Sequence, residues 1–337
     1  MRERLSAESS PENRQPSPER SSGLVRVVGV SPEIEKAAHD TLAKLLRHQT
    51  IESFERGKSE VEMEIITRIL ASMPEFVSSY GGRAVTGLTE ANFHIIDSRR
   101  LSEDGQEAIL GAGVAGLYDF DRQRLLVLPD ERSQLTTAQR MVHETLHLES
   151  FLSFTADDIS VTGQSNKVLL RPRRIGLSVF NDAYTKRFFR GIDEAVIEEL
   201  TARFDARYFS LIPSLATEIE RREEMRKTTQ ILNRNQIASV VDTVLPDRRY
   251  EITIHAWRYG SERKMLDSLM TNLYEANTNR FTSREEVFDI VAQAVLTGKL
   301  LNLARLIERT LGEGSMRALG ENTMLLNTEG DTSSANL

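Results

Sequence analysis

Two histidines and a glutamate near the middle of the chain have the residue types and spacing of a metal-dependent hydrolytic site. His143 and His147 are four residues apart, so on a helix both imidazoles project from one face. That geometry suits two nitrogen ligands of a single zinc ion. Glu144 directly follows the first histidine, where its carboxylate can hold a water and take its proton. The spacing therefore predicts a zinc site on a helix over residues 135–154.

The run His-Glu-Thr-Leu-His at 143–147 is similar to the active-site helix of the zincin metallopeptidases. The metzincin branch requires a glycine and a third histidine shortly downstream, but Ser150 and Ser153 occupy those positions. The gluzincin branch takes its third ligand from a glutamate on a later helix, in a motif that residues 193–198 resemble. These two short motifs, within residues 114–208, imply a compact, intracellular, minigluzincin-like bacterial type.

The resemblance assigns roles to two acidic residues. Glu194 matches the third metal ligand of the gluzincins, and Glu198 matches the carboxylate that hydrogen-bonds and orients the first histidine. The two glutamates are one helical turn apart on the same face, so spacing alone would let Glu198 serve as the ligand nearly as well. The ligand set implied by the resemblance is His143, His147 and Glu194, with one Zn²⁺ per chain.

The chemistry implied by the family is peptide-bond hydrolysis by a metal-activated water. Glu144 would act as general base and then pass the proton to the leaving amine. The developing oxyanion needs a further hydrogen-bond donor, which gluzincins supply from a tyrosine or histidine beyond the glutamate helix. Tyr250, His255 and Tyr259 are the candidates, with Tyr208 a weaker one, and we assign catalysis to Tyr250 and His255.

A hairpin of two strands is predicted at residues 117–128, just before the metal-binding helix. In zincins a strand in this place borders the cleft, and its exposed edge binds the substrate peptide by strand addition. The resemblance implies that this edge is formed by Leu125, Leu126, Val127 and Leu128. The glycines at 111, 113 and 116 match the spacing of dinucleotide-binding sites, but such a site needs a helix after them. A hairpin follows here, so we reject a nucleotide site and predict only a glycine-rich segment that leads into a strand.

Composition excludes several classes of protein and site. The 337 residues are 39% hydrophobic and 28% charged, as in soluble globular chains, and the net charge of -7 argues against phosphate-driven nucleic-acid binding. The absence of cysteine excludes disulfides and thiolate ligands, which leaves histidines and carboxylates. No signal peptide or membrane span is visible. We therefore expect a cytoplasmic protein with a peptide or protein substrate, no nucleic-acid or membrane partner, and an oligomeric state that the sequence leaves open.

The predicted fold class is α+β and zincin-like: a small strand-containing lobe carries the active-site helix, and a mostly helical half follows. Residues 1–23 are expected to form a disordered tail, 24–210 the metallopeptidase core, 211–321 a helical subdomain that completes the cleft, and 322–337 a loose tail. An inserted hairpin is expected at 167–180.

Three finer predictions concern local structure. The inserted hairpin is expected to carry Arg-Pro-Arg-Arg at its tip. Residues 213–245 read as one or two helices and 247–273 as another, because apolar residues recur among many charged ones. Thr136 or Thr137 is expected to cap the metal-binding helix.

Three alternatives from other classes stay open, and the third, a transcription factor with a helix-turn-helix, is disfavoured by the charge balance and the lack of a basic stripe. The first keeps the metal but confines activity to one protein partner, as a narrow-specificity regulatory protease. The second is a non-catalytic zinc-binding interaction protein in which the metal only braces the fold. The intact Glu144 argues against the second alternative, because a purely structural site does not need a base at that position.

Overall fold

Helices and short strands alternate in the first half of the chain and helices dominate the second, so the α+β class is confirmed. The computed structural model describes residues 25–28, 54–100, 116–119, 123–159, 167–181, 186–229, 236–244, 248 and 250–325. The predictions for residues 1–23, 111–115 and 326–337 fall outside these ranges. The α-helices there are α1 Glu60–Ser79, α2 Gln134–Glu149, α3 Arg190–Tyr208, α4 Ala216–Thr228, α5 Gly260–Glu275, α6 Arg284–Thr297, α7 Leu300–Leu311 and α8 Ser315–Leu325. The strands are β1 Val25–Val28, β2 Glu55–Arg56, β3 Phe93–Ile96, β4 Gly116–Asp119, β5 Arg124–Val127, β6 Leu152–Ile159, β7 Lys167–Ile175, β8 Ser178–Phe180, β9 Arg187–Phe188, β10 Ile237–Val244 and β11 Tyr250–Ala256.

The helix that carries both histidines is buried almost all around. α2 packs against α1, α3, β4 and β5, and 14 of its side chains are buried. Met141, Val142, Leu146 and Leu148 join the apolar core, as predicted for the face opposite the cleft. This degree of burial holds the imidazoles in fixed positions.

The ends of α2 differ from the prediction. The N-cap is Ser133, whose hydroxyl accepts a hydrogen bond from the Thr136 backbone nitrogen at 3.0 Å, whereas Thr136 and Thr137 lie inside the helix. The helix ends at Glu149 rather than at residue 154, because the chain from Leu152 onward pairs with another strand. Both corrections leave the histidines in the middle of the helix.

The predicted hairpin before α2 is confirmed, but its predicted substrate edge is wrong. β4 and β5 pair in antiparallel fashion, with Gly116 opposite Val127 and Asp119 opposite Arg124. On its other side β5 pairs in parallel with β3, and the sheet order is β2-β3-β5-β4. Strand addition to Leu125–Leu128 is therefore blocked, because β5 has a partner on each side. Among the strands that the structure describes, β4 ends this sheet on the side of α2.

The Arg-Pro-Arg-Arg run is not at a hairpin tip. It lies within β7, which pairs with β6 in a five-stranded sheet of order β1-β6-β7-β8-β9. Pro172 sits at an irregularity of the β6–β7 ladder, where a residue without an amide hydrogen is tolerated. The turn is instead at Gly176, which has φ +57. Arg174 donates to the Ala294 and Gly298 carbonyls at 2.8 and 3.0 Å and so closes the end of α6.

The region beyond residue 211 is less helical than predicted. α4 is present, but residues 237–244 and 250–256 form the antiparallel hairpin β10–β11 in place of the predicted helices. Ile237, Val240 and Val241 are β-branched residues that pack well in a strand, and residues 237–241 form a continuous buried run rather than one face of a helix. Residues 322–325 belong to α8 rather than to a loose tail. Within the described ranges, none of the helices has both the length and the apolar character of a membrane span.

Candidate metal centre

Three ligand atoms from two helices converge in the core. His143 and His147 come from α2 and Glu194 from α3, and each residue is at most 8% exposed. The two imidazole Nε2 atoms are 3.2 Å apart, and Glu194 Oε2 lies 3.2 Å from His147 Nε2 and 3.4 Å from His143 Nε2. A tetrahedral zinc site with bonds of about 2.0–2.1 Å has ligand atoms about 3.3–3.4 Å apart. The donor triangle therefore fits one face of such a tetrahedron.

Glu198 hydrogen-bonds the ring nitrogen of His143 that does not face the ligand cluster. His143 Nδ1 donates to Glu198 Oε2 at 2.9 Å, which orients the ring so that Nε2 faces the other two ligand atoms. The second oxygen, Oε1, accepts a hydrogen bond from the Arg258 backbone nitrogen at 2.7 Å. The geometry thus distinguishes the roles of the two glutamates, which spacing could not do. Glu194 joins the cluster, and Glu198 orients His143.

The cluster attracts positive charge. Burial disfavours the charged form of His143, but the carboxylates of Glu194 and Glu198 outweigh it and raise its pKa to about 10. Burial also opposes ionisation of Glu194, yet the two histidines hold its pKa well below the usual range. A buried site whose carboxylate stays ionised suits a cation.

Glu144 lies beside the cluster without belonging to it. Its side chain is 7% exposed, and burial raises the pKa of its carboxyl, opposed by the charges of His143 and His147. Gly116 of β4 closes over this carboxylate so tightly that a Cβ added there would lie 2.6 Å from Glu144 Oε1. Sequence patterns do not predict this approach, because it depends on how β4 crosses α2.

Tyr259 is the aromatic residue that the structure brings to the histidines. Its ring stacks on His143 with centroids 5.9 Å apart and an interplanar angle of 14°. It has φ +54 and ends the loop between β11 and α5, which turns the ring back toward the site. Burial and the carboxylates of Glu194, Glu198 and Glu144 raise the pKa of its phenol. The hydroxyl therefore keeps its proton and remains a hydrogen-bond donor.

The structure does not bring Tyr250 to the cluster. Tyr250 begins β11, is 60% exposed and neighbours Asp242 and Arg221. At about 3.3 Å per residue, the strand carries it roughly 20 Å from the loop that reaches the site.

His255 and Tyr208 also have neighbours outside the ligand cluster. His255 is half-buried, and burial lowers the pKa of its imidazole, with Asp130, Arg132 and Arg140 as the charges near it. Tyr208 packs in an aromatic group with Phe76 and Phe204.

A carboxylate from a distant helix caps α2. Glu218 of α4 accepts hydrogen bonds from the Ser133 hydroxyl at 2.6 Å and from the backbone nitrogens of Gln134 and Leu135 at 2.9 and 3.2 Å. These are first-turn donors that the helix itself cannot satisfy, and a negative charge there also complements the helix dipole. Sequence reasoning missed this contact because 83 positions or more separate the partners.

A buried polar network joins the two helices of the candidate metal centre. Gln139 of α2 donates to Asp205 of α3 at 2.8 Å and to the Ala238 carbonyl of β10 at 2.8 Å. Arg222 of α4 makes two hydrogen bonds to the same aspartate, at 2.6 and 2.9 Å. Because every link is buried, removal of one partner leaves a charge or a polar group without compensation. The network thus fixes the relative position of α2 and α3.

Comparison with protein-family models, with curated proteins and with solved structures found no match. The chemistry must therefore be argued from the side chains of this chain.

These side chains can perform two tasks. Two imidazoles and a carboxylate, all buried, can hold a divalent cation. Beside them, a buried carboxylate of raised pKa can accept a proton, and a phenol can donate a hydrogen bond. This combination of groups is suited to hydrolysis.

Proposed function

We propose that this protein is a zinc-dependent metallopeptidase. The observation that carries the proposal is the convergence of His143, His147 and Glu194 at donor spacings of 3.2–3.4 Å. Glu144 beside this cluster adds a base that a purely structural metal site would not need. Glu198 adds the oriented histidine that metal sites commonly require.

Zinc is the metal that the donors favour. Two neutral imidazoles with one carboxylate form a mixed nitrogen and oxygen set, whereas calcium and magnesium prefer oxygen ligands alone. When bound, zinc supplies Lewis acidity that polarises a substrate carbonyl and makes a water acidic.

The chain's own residues supply proton transfer and orientation. Glu144 takes a proton on its carboxylate and returns it to the leaving amine, a role that its raised pKa favours. The Tyr259 hydroxyl, which stays protonated, donates to the oxygen that gains negative charge. We place the substrate peptide along β4, because Gly116 of that strand contacts the Glu144 carboxylate.

Zinc content is the first test. Wild-type protein purified without added metal should contain one zinc per chain by elemental analysis. Glu194→Gln should lose most of it, because a ligand is removed, and Glu198→Gln should weaken binding by about 10–100-fold, because only the orientation of His143 is disturbed. Equal metal content in all three proteins would contradict the assigned ligand set.

Hydrolysis is the second test. The zinc-loaded protein should cleave members of a quenched fluorescent peptide library, and Glu144→Gln should bind zinc normally but cleave at least 10²-fold more slowly. Zinc binding with no cleavage of any peptide would contradict the peptidase proposal. It would favour a binding protein in which the metal only stabilises the fold.

A further inference from the structure

The C-terminal helix α8 lies against the start of α3, the helix that carries the candidate ligand Glu194. Phe189 is the N-cap residue of α3, and its backbone nitrogen donates to the Gly320 carbonyl of α8 at 3.1 Å. α3 begins at the next residue, Arg190, so Glu194 follows this contact within little more than one helical turn. α8 therefore contacts the chain directly before the third candidate ligand.

Two glycines allow α3 and α8 to approach each other closely. A Cβ added at Gly320 of α8 would lie 2.6 and 2.7 Å from two atoms of the Phe189 ring. A Cβ added at Gly191 of α3 would lie 2.8 Å from the Thr323 carbonyl oxygen. Both neighbours are rigid, since one is an aromatic ring and the other a backbone atom. The contact between the two helices thus leaves no room for a methyl group at either glycine.

α3 has no capping side chain at its start. Phe189 makes no side-chain capping hydrogen bond, and its φ of +62 lies in the left-handed region that bulky residues rarely adopt. Such a conformation persists only where the surrounding structure enforces it. Gly320 supplies one of the surrounding contacts. On the other side, Asp193 accepts hydrogen bonds from the Leu177 backbone nitrogen at 2.7 Å and from the Ser178 hydroxyl at 2.9 Å.

We propose that docking of α8 positions Glu194, so that the zinc affinity of the metal centre depends on the C-terminal helix. Phe189, Gly191 and Gly320 are then positioning residues for the third ligand. This inference rests on the metal site of the proposed function and adds a means of regulating it. Distances in metal sites hold to within about 0.2 Å, so a small shift of the first turn of α3 is enough to weaken binding.

Gly320→Ala is the decisive variant. Alanine is the better helix former, so helix propensity alone favours a more stable α8, whereas the contact with the Phe189 ring should displace it. We expect the zinc Kd, measured by competition with a chromophoric chelator, to rise about 10–100-fold, the range for groups that orient metal ligands. An unchanged Kd would overturn the proposal, and a lower melting temperature of the metal-free protein with that unchanged Kd would show a role in fold stability alone.

Phe189→Leu tests whether the contact itself is responsible. Leucine lacks the distal ring atoms that a Cβ at Gly320 would meet. Gly320→Ala should therefore have little further effect on the zinc Kd in the Phe189→Leu background. An equally large loss of affinity in that background would contradict the assigned contact. Gly57→Ala, where a Cβ meets nothing within 4 Å, is the matched control and should keep the wild-type Kd.

Gly191→Ala tests the same contact from the side of α3. Its Cβ would lie 2.8 Å from the Thr323 carbonyl oxygen, so this variant should also weaken zinc binding, although alanine favours the helix. The variant keeps the proposal testable where Gly320→Ala protein does not fold. Wild-type zinc affinity in Gly191→Ala would overturn the positioning role of α8.

The outcome is separable from that of the proposed function. Zinc-dependent cleavage of the library, with one Kd shared by wild type, Gly320→Ala and Gly191→Ala, would retain the peptidase and reject the positioning role. Weaker zinc binding in the two variants, with no cleavage by the zinc-loaded wild type, would do the reverse.

Discussion

Gly116→Ala should impair catalysis while it leaves the metal site and the fold intact. The added Cβ would lie 2.6 Å from Glu144 Oε1, 2.8 Å from Cγ and 2.9 Å from Cδ of the same side chain. Ordinary contact begins at 3.4 Å, so the carboxylate oxygen must retreat by about 0.8 Å, the difference between 3.4 and 2.6 Å. The three heavy atoms nearest to the added Cβ thus all belong to Glu144.

The magnitude follows from which atoms must move. Displacement of a reacting group by roughly 1 Å costs about 10²-fold in rate, so kcat should fall by about that factor. Glu144 is not a ligand, so zinc content should stay at that of the wild type. The atoms that yield belong to a flexible side chain, so the free energy of unfolding should change by less than about 1 kcal/mol.

Three measurements on one preparation check this reasoning: elemental zinc, denaturant unfolding and cleavage of the peptide library. Gly57→Ala is the matched control, because a Cβ there meets nothing within 4 Å, and it should be wild-type in all three measurements. Full activity in Gly116→Ala would refute the role of the Glu144 carboxylate. Loss of zinc together with activity would refute its separation from the ligand set.

Three further predictions concern stability. Glu218→Gln, which removes the charge that caps α2, should lower the free energy of unfolding by about 1–2 kcal/mol in urea titrations, against little change for the exposed Glu220→Gln. Gly298→Ala should cost at least about 2 kcal/mol, because φ is +76 and the Cβ would lie 2.5 Å from the Phe151 ring, whereas Gly87→Ala, with φ +84 and open space, should cost about 1 kcal/mol. Zinc at about a thousand times its Kd should add about 4 kcal/mol to the free energy of unfolding, and an unchanged melting temperature on titration with zinc would contradict a native metal site.

The sequence predicts the parts of the site that depend on helical spacing. His143 and His147 share a face of α2, and Glu194 and Glu198 share a face of α3, so four residues were identifiable once both segments were taken as helices. Helical periodicity is a local property that a sequence displays directly. The choice between the two glutamates needed the relative position of two helices, which spacing does not contain.

Features that depend on distant pairing were not predictable. The edge role assigned to Leu125–Leu128 failed because β3, about 30 positions earlier, occupies the other side of β5. The hairpin β10–β11 was mistaken for helix because apolar residues among charged ones fit both periods in short segments. Tyr259 was one candidate among four, and only the loop after β11 distinguishes it from Tyr250. Arg258 gave no signal, since its contact with Glu198 is a backbone hydrogen bond.

The cap that Glu218 provides and the hydrogen bond from Arg258 to Glu198 have a consequence for how the protein is made. The three candidate ligands have all been synthesised by residue 194, but the groups that fix α2 and orient His143 are synthesised later, up to residue 259. A nascent chain therefore holds two histidines and a carboxylate that can bind a metal before Glu144, Tyr259 and His143 have reached their final relative positions. The complete candidate site, with the Tyr259 ring stacked on His143, can therefore assemble only after synthesis has passed the loop that follows β11.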